Sequence, residues 1–303
     1  MSTLTTGPIG VVGAGTMGNG IAQVCAVAGF DVILLDVNEA SLAKALGTVS
    51  RNLDRLVQKQ ELGEDEKAYA LRRIVTTTDY QALEPARLVI EAATENLAIK
   101  NSIFKQIAAV VTADAVIATN TSSLSVTALA RAAQVEHSDR VIGMHFFNPV
   151  PVMRLLEIIR GLQTSDATSE PATALVSRIG KTVVTAHNSP GFAVNRILCP
   201  MINEAIFALQ EGLATATDID VGMRLGCNQP IAPLALADLI GLDTLLAVLE
   251  SFHSGSAIPN IARPSFKGNG LGWLSRPQEW QGILRLLNLP LNQPSSLCAR
   301  SQT

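Results

Sequence analysis

The segment IGVVGAGTMGNGIAQ, residues 9–23, constrains the fold of this chain more than any other. A short run of β-branched residues, typical of a buried strand, leads into a G-x-G-x-x-G pattern and then into a helical pattern. Such glycines permit a tight turn, close approach of the backbone to a pyrophosphate, and close packing of helix on strand. We therefore predict a dinucleotide-binding turn, where the helix N-terminus favours phosphate. Its predicted cofactor contacts are Gly13, Gly15, Thr16, Met17 and Gly18.

Asp36 indicates which dinucleotide binds. It ends the next predicted strand, DVILLD, about 20 residues beyond the glycines. A carboxylate there accepts hydrogen bonds from the ribose hydroxyls and repels a 2′-phosphate, so NAD is favoured over NADP. Two alternatives stay open on these residues alone: a glycine turn without a ligand, and Asp36 as a helix N-cap.

Short β-rich runs alternate with helical patterns through the first two thirds of the chain. The helical segments include TMGNGIAQVCAVAG and ENLAIKNSIFKQIAAVV. This alternation predicts βαβ units and a mainly parallel sheet with helices on both faces, which is a Rossmann-type α/β domain. A helical hairpin over residues 40–73 is expected to interrupt it. The predicted strands are IGVVG, DVILLD, RLVIEA, AVIATN, RVIGMHFF, RLLEIIR and KTVVTA.

The pattern changes at NSPGF, where Pro190 and Gly191 mark a boundary. Only helical runs follow: VNRILCPMINEAIFALQEG, TDIDVGMRLG and PLALADLIGLDTLLAVLESF. We predict an NAD-binding α/β domain over residues 1–188 and an all-α domain over residues 189–303.

Composition excludes several classes of protein. Hydrophobic residues make up 48% of the chain and charged residues 16%, as expected of a globular enzyme rather than a disordered chain. The net charge of −3 argues against a general nucleic-acid binder. We expect no membrane span, no signal peptide and a cytoplasmic location. The four cysteines lie far apart without metal-ligand spacing, so we expect reduced thiols and no metal site.

The stretch HFFNPVPVMRLLEII, residues 145–159, carries one histidine and one carboxylate in an apolar run. A histidine in such a run is usually a core residue whose hydrogen bonds are satisfied, and Glu157 alone reads as a solvated strand residue. The two residues lie on consecutive predicted strands joined through NPVP. They could therefore meet across a sheet as a His–carboxylate pair, in which the carboxylate fixes the tautomer of the imidazole.

Together, these strings resemble the 3-hydroxyacyl-CoA dehydrogenases, and most closely the bacterial 3-hydroxybutyryl-CoA dehydrogenases. The resemblance covers residues 8–253 and also includes NLDRLVQK, VIEAATEN, ATNTSS, NSPGFAVNRIL and PLALADLIGLD. It implies an NAD-binding domain, a helical domain that forms a homodimer, and acyl-CoA substrates. It further implies that His145 is the general acid/base of the reaction and that Glu157 is its partner.

The resemblance also implies substrate and cofactor contacts. Ser122 would bond the substrate oxygen, although a serine there also suits a helix N-cap. Asn195 would lie near the substrate carbonyl, unless it is a buried asparagine bonded to backbone.

Four further residues match cofactor or CoA contacts of the family. Glu95 and Lys100 would flank the nicotinamide half of NAD, with an exposed helix start as the alternative. Lys59 and Asn52 lie on the helical arm that, in the family, contacts CoA. A solvated lysine is the alternative for Lys59, and Asn52 stands where some relatives have serine.

The C-terminal tail departs from the family pattern beyond about His253. GWL at residues 272–274 matches, but its flanks do not. One choice of codons for PNIARPSFK spells KYRPAQLQ in a shifted frame, and one for SRPQEWQGILRLL spells AGRRNGRGFYDY, which are family strings. Our hypothesis is a frameshift or sequencing error; an ordinary divergent tail is the alternative.

From the sequence we expect an NAD-dependent (3S)-3-hydroxyacyl-CoA dehydrogenase that interconverts 3-hydroxybutyryl-CoA and acetoacetyl-CoA. Two alternatives remain: a dehydrogenase for longer or dicarboxylic acyl-CoA substrates, and an inactive NAD- or CoA-binding protein with an altered tail.

Overall fold

An eight-stranded sheet forms the centre of the first part of the structure, a computed structural model that describes residues 7–133 and 135–255. The strand order is β3-β2-β1-β4-β5-β6-β7-β8, and all neighbouring strands are parallel except the antiparallel pair β6 and β7. This arrangement confirms the predicted Rossmann-type fold. The strands are β1 (Ile9–Val12), β2 (Val32–Leu35), β3 (Ile74–Thr77), β4 (Leu88–Glu91), β5 (Val116–Thr119), β6 (Val141–Phe146), β7 (Leu155–Arg160) and β8 (Thr182–His187).

All seven predicted strands are present, and β3 is the strand that the sequence pattern missed. β3 has only four residues, IVTT, and one of them is buried. It lies at the edge of the sheet beside β2, so its side chains lack the apolar pattern of the inner strands.

Six helices accompany the sheet. The predicted helical hairpin is formed by α2 and α3, which connect β2 to β3. Apolar residues recur at helical spacing along α2, where Leu42, Ala45, Val49 and Leu53 are buried. The helices are α1 (Thr16–Val27), α2 (Glu39–Gln58), α3 (Glu64–Arg72), α4 (Leu97–Ala108), α5 (Val126–Ala132) and α6 (Asp166–Arg178).

Each face of the sheet carries its own core. Ile9 and Val11 of β1 pack in a cluster with residues of α1, α2 and α6. Val12 points to the other face, where residues of α4 and α5 form the second cluster. Since both faces are covered, the inner strands are continuously apolar rather than alternating.

The chain divides into two units, the first ending at Ala193 and the second beginning at Val194. Within residues 194–255 the second unit consists of α7 (Val194–Gln210), α8 (Ala216–Gly226), α9 (Pro233–Ile240) and α10 (Leu242–Gly255). The predicted helical run PLALADLIGLDTLLAVLESF forms two helices rather than one. Gly241 separates α9 from α10 with φ of 91°, a conformation that favours glycine. None of the helices described here has the length and apolar character needed to cross a membrane.

Candidate active site

The glycine turn joins β1 to α1 at the carboxyl edge of the sheet. Gly13 has φ of 103°, and a Cβ at Gly18 would lie 1.7 Å from the carbonyl oxygen of Gly13, so both positions require glycine. A Cβ at Gly15 would meet nothing within 4 Å, so this position faces open space. No side chain caps the N-terminus of α1, which begins at Thr16 and continues through Met17. Its first N–H groups can therefore bind an anion.

Asp36 follows the neighbouring strand β2 and forms a hydrogen bond with the glycine turn. Its carboxylate accepts hydrogen bonds from the Ala14 N–H at 2.8 Å and the Asn38 N–H at 3.0 Å. The N-cap of α2 is Asn38, so the alternative role of Asp36 as a helix N-cap is wrong. A carboxylate has about four acceptor positions, so Asp36 can also accept ribose hydroxyls. An uncapped helix, open space at Gly15 and this carboxylate together fit NAD.

His145 and Glu157 meet across the antiparallel strands β6 and β7. They are register partners, and His145 Nδ1 lies 2.7 Å from Glu157 Oε2. His145 is 5% exposed and Glu157 is 0% exposed, so the pair is shielded from water. Because a carboxylate accepts the Nδ1 proton, Nε2 carries the lone pair and can act as a base. The alternative of a solvated Glu157 is wrong.

Aromatic side chains and a backbone N–H hold this pair. The rings of Phe147 and Phe192 lie 4.6 Å and 5.7 Å from the imidazole of His145, centroid to centroid. The N–H of Ala193 donates to Oε1 of Glu157 at 3.1 Å. Both carboxylate oxygens therefore have partners, which fixes the orientation that the imidazole needs.

Ser122 follows β5 and is held by Glu95, which follows β4. Oε1 of Glu95 accepts the Ser122 N–H at 2.7 Å and its hydroxyl at 3.0 Å, and Oε2 accepts the hydroxyl of Thr121 at 2.8 Å. The structure thus brings two predicted site residues together. The N-cap of α5 is Ser125, so the alternative reading of Ser122 as a helix cap is wrong.

Asn120 is a residue near the site that the sequence reasoning missed. Its Oδ1 accepts the N–H of Phe146 at 2.8 Å, which links the ends of β5 and β6 beside His145. Asn120 is 8% exposed. A polar residue at the end of a buried strand was the signal for it, because ligand sites in open α/β sheets lie at this edge.

Lys100 lies in α4 and is fully buried, at 1% exposed. Its ammonium forms an ion pair with Glu91, which is 0% exposed, and Glu91 also accepts hydrogen bonds from the Thr119 hydroxyl and the Ala93 N–H. The alternative reading of Lys100 as part of an exposed helix start is wrong. The sequence reasoning did not single out Glu91, although a carboxylate ending an apolar strand must have a partner when buried.

The remaining predicted residues belong to other elements of the structure. Asn195 is in the first turn of α7, in the second unit, and is partly buried. Lys59 follows α2 and is exposed. The side chain of Asn52 donates to Gln23 Oε1 at 3.1 Å, which joins α2 to α1. The tail segments of the frameshift hypothesis lie outside the described residues, and no potential metal-binding cluster occurs among the residues described.

Two family models match the chain. The model "3-hydroxyacyl-CoA dehydrogenase, NAD binding domain" matches residues 8–189, and "3-hydroxyacyl-CoA dehydrogenase, C-terminal domain" matches residues 191–268. The chain is 46% identical over 271 residues to a 3-hydroxybutyryl-CoA dehydrogenase of Bradyrhizobium diazoefficiens, covering 88% of this chain and 92% of that protein. It is 42% identical over 240 residues to a 3-hydroxyadipyl-CoA dehydrogenase of Escherichia coli, covering 79% of this chain and 50% of that protein.

Solved structures give the same result. (S)-3-hydroxybutyryl-CoA dehydrogenase PaaH1 of Ralstonia eutropha is 56% identical with a TM-score of 0.82, covering 84% of this chain and 89% of that one. FadB2 of M. tuberculosis is 36% identical with a TM-score of 0.82, covering 92% and 93%. The NAD-binding model matches the part of the chain that forms the Rossmann-type sheet, and the C-terminal model follows it in order, so this chain belongs to the 3-hydroxyacyl-CoA dehydrogenase family.

Proposed function

We propose that this protein catalyses the reversible oxidation of (3S)-3-hydroxybutyryl-CoA to acetoacetyl-CoA with NAD. The observation that carries the proposal is the buried His145–Glu157 pair, which lies in the same sheet as a complete dinucleotide turn. The names of relatives that are 46% and 56% identical support the choice of substrate.

His145 is the general acid/base of the proposed reaction. In oxidation its Nε2 takes the proton of the 3-hydroxyl group, and in reduction it returns that proton to the carbonyl oxygen. Glu157 holds the imidazole through Nδ1 and stabilises the imidazolium that forms, which the 2.7 Å contact supports. The glycine turn and Asp36 would hold NAD, which would supply the acceptor for the hydride on carbon 3 of the substrate.

Ser122 and Asn195 are proposed to position the substrate oxygens. The hydrogen bond from the Ser122 hydroxyl to Glu95 supports this role, because it fixes the direction in which the hydroxyl points. We propose Asp36, Glu95 and Lys100 as cofactor-binding residues together with the glycine turn. Lys100 is buried against Glu91. It would therefore support the cofactor mainly by holding Glu91 and the loop that follows it, residues 92–96, rather than by extensive contact with the nicotinamide.

Lys59 and Asn52 are proposed to face CoA. The exposure of Lys59 supports this, since an exposed ammonium can pair with a phosphate. The side chain of Asn52 already donates a hydrogen bond to Gln23, so Asn52 has a structural contact besides the proposed contact with CoA.

The second unit is proposed to form a homodimer, as the family resemblance implies. In support, it exposes large apolar side chains of a kind that interfaces bury. Light scattering would give twice the chain mass of 32.0 kDa for a dimer. We also propose a cytoplasmic location, which cell fractionation tests. The exposed apolar residues of this unit are Ile197, Leu213, Val221, Leu225, Ile231 and Leu239.

A preference for a dicarboxylic acyl-CoA is the second candidate. The E. coli relative named 3-hydroxyadipyl-CoA dehydrogenase favours it, at 42% identity. Comparing kcat/KM for 3-hydroxybutyryl-CoA, longer 3-hydroxyacyl-CoA substrates and 3-hydroxyadipyl-CoA separates the two candidates, because the preferred substrate has the highest value.

The first test mixes the purified chain with NADH and acetoacetyl-CoA and follows the loss of NADH absorbance. We expect turnover that depends on acetoacetyl-CoA and disappears in His145→Ala. The matched control is His187→Ala, because His187 is an exposed histidine at the end of β8 and its loss should leave the rate unchanged. A folded wild-type chain that binds NADH without turnover would instead support the inactive, cofactor-binding alternative.

A further inference from the structure

Lys181 is a nearly buried cation that the proposed chemistry does not use. It immediately precedes β8 and is 9% exposed. None of the ion pairs among the described residues involves it. Burial lowers the pKa of its ammonium, while the nearby Cys25 raises it by a smaller amount. A lysine held in this state without a carboxylate needs another partner.

Two backbone carbonyl groups provide that partner. The ammonium of Lys181 donates to the carbonyl oxygens of Val150 and Met153, at 2.7 Å each, and lies 5.9 Å from the centre of the Phe146 ring. Both carbonyls belong to the β6–β7 connection, residues 147–154, which joins the strand of His145 to the strand of Glu157. Charge-assisted hydrogen bonds of this kind are about twice as strong as neutral ones.

The β6–β7 connection also touches the nucleotide helix. Val150 is 2% exposed and packs directly on α1, where a Cβ at Gly20 would lie 2.8 Å from the Cβ of Val150. At the start of the same connection, the ring of Phe147 packs against the imidazole of His145. One short segment therefore touches both the helix of the dinucleotide turn and the catalytic base.

We propose that Lys181 is a positioning residue for the reaction: by holding the carbonyls of Val150 and Met153, it keeps the β6–β7 connection seated on α1 and so sets the position of His145 relative to the bound dinucleotide. This inference rests on the proposed function of His145. The catalytic pair itself comes from the register of β6 and β7, so its hydrogen bond remains when Lys181 is lost. What changes is the alignment between base and cofactor, and misplacement of about 1 Å can lower a rate by about 10²-fold.

The test compares Lys181→Met, which keeps the apolar stem and loses the donors, with the wild-type chain. We expect kcat per NADH-binding site to fall at least about tenfold, while the Kd for NADH stays within about twofold, because the glycine turn and Asp36 are untouched. Lys181→Arg keeps the positive charge and has N–H donors for both carbonyls, so it should recover most of kcat. The matched control is Lys105→Met, at an exposed lysine of α4, with unchanged kcat.

A purely structural role gives a different result. Lys181→Met would then lower thermal stability and the number of NADH sites, yet each remaining site would turn over at the wild-type rate, and the proposal would fail. If Lys181→Met does not fold, Val150→Ala removes the side chain that packs on α1 and should give the same loss of kcat with NADH affinity kept. Wild-type kcat in Val150→Ala overturns the proposal.

A wild-type chain without turnover would refute the proposed function. In that case, amide hydrogen exchange tests whether Lys181 holds the β6–β7 connection in place. Faster exchange of residues 147–154 in Lys181→Met supports the proposal that Lys181 holds this connection in place, and unchanged exchange there refutes it.

Discussion

At the scale of single residues, the role that we propose for His145 depends on an acceptor 12 positions away in the sequence. Glu157 has both oxygens occupied, by the imidazole and by the N–H of Ala193, so it cannot turn away without losing two hydrogen bonds. A buried carboxylate held in this way would stabilise the positive charge that the proposed reaction places on His145 during oxidation.

Glu157→Gln should therefore lower kcat strongly and leave NADH binding intact. The amide keeps the size of the side chain but loses the charge, and the comparable Asp→Asn change in a Ser–His–Asp triad lowers kcat by about 10⁴-fold. Steady-state kinetics with acetoacetyl-CoA measure the loss, and fluorescence titration measures the NADH affinity. Glu170→Gln, at an exposed glutamate of α6, is the control. Equal rates in both variants would contradict the role of Glu157.

The buried pair of Lys100 and Glu91 predicts a characteristic pattern of stability. Lys100→Met leaves a carboxylate buried without its cation and should destabilise the protein by about 3–5 kcal/mol. The double variant Glu91→Gln, Lys100→Met should recover much of this loss, because no unpaired charge remains. Urea unfolding measures both effects. If the double variant is no more stable than Lys100→Met, the ion pair is not the source of the loss.

Asp238 in α9 predicts a dependence of stability on pH. Burial, and to a smaller extent the carboxylate of Asp220, raise its pKa to about 6 from 3.8, and its Oδ2 has no partner among the described residues. The folded state therefore holds this proton more tightly than the unfolded state does. This contribution to stability is fully present below pH 3.8 and is lost as the pH rises through about 6.

Asp238→Asn should remove this dependence. We expect the variant to gain thermal stability relative to the wild-type chain at pH 8, with little or no gain at pH 4. Scanning calorimetry at the two pH values measures the difference. A gain that is the same at both values would show that packing, rather than titration, is responsible.

At the scale of elements, the glycine turn and α1 form one binding unit. Gly13 and Gly18 are needed for the turn itself, whereas Gly15 only faces open space. Gly15→Ala should fold normally and bind NADH at least about tenfold more weakly, because its methyl group occupies space that a pyrophosphate needs. Gly47→Ala, inside α2, is the control and should raise stability by about 0.5–1 kcal/mol with unchanged NADH affinity. Unchanged affinity in Gly15→Ala would place the dinucleotide elsewhere.

The strands show how far local pattern carries a prediction. Seven strands follow from apolar runs, since strands covered on both faces are continuously apolar. The edge strand β3 was not predicted, because only one of its four residues is buried and it lacks an apolar run. The pattern of PLALADLIGLDTLLAVLESF predicted a helical run but not its division at Gly241, because an apolar run gives the same pattern whether one helix or two bury it.

At the scale of the whole molecule, we expect the tail beyond about residue 253 to have the largest effect on thermal stability. The match to the C-terminal family model ends at residue 268. Under the frameshift hypothesis, resequencing the gene should give codons that spell KYRPAQLQ and AGRRNGRGFYDY in shifted frames. A chain with the repaired tail should then unfold at a higher temperature, since the family strings replace apolar residues of the altered tail. Codons that do not spell these strings would leave the divergent tail as the explanation.

The sequence by itself determined the class of fold, the cofactor and the family, because glycine turns, apolar runs and charged residues in specific strings report on local geometry and burial. Only the tertiary structure decided which side chains share a hydrogen bond. The meeting of His145 and Glu157 follows from the register of an antiparallel pair, and a shift of one residue would point Glu157 to the other face. The burial of Lys100 against Glu91, and the contact of Lys181 with two carbonyls, likewise arise when distant segments pack together, so no local pattern contains them.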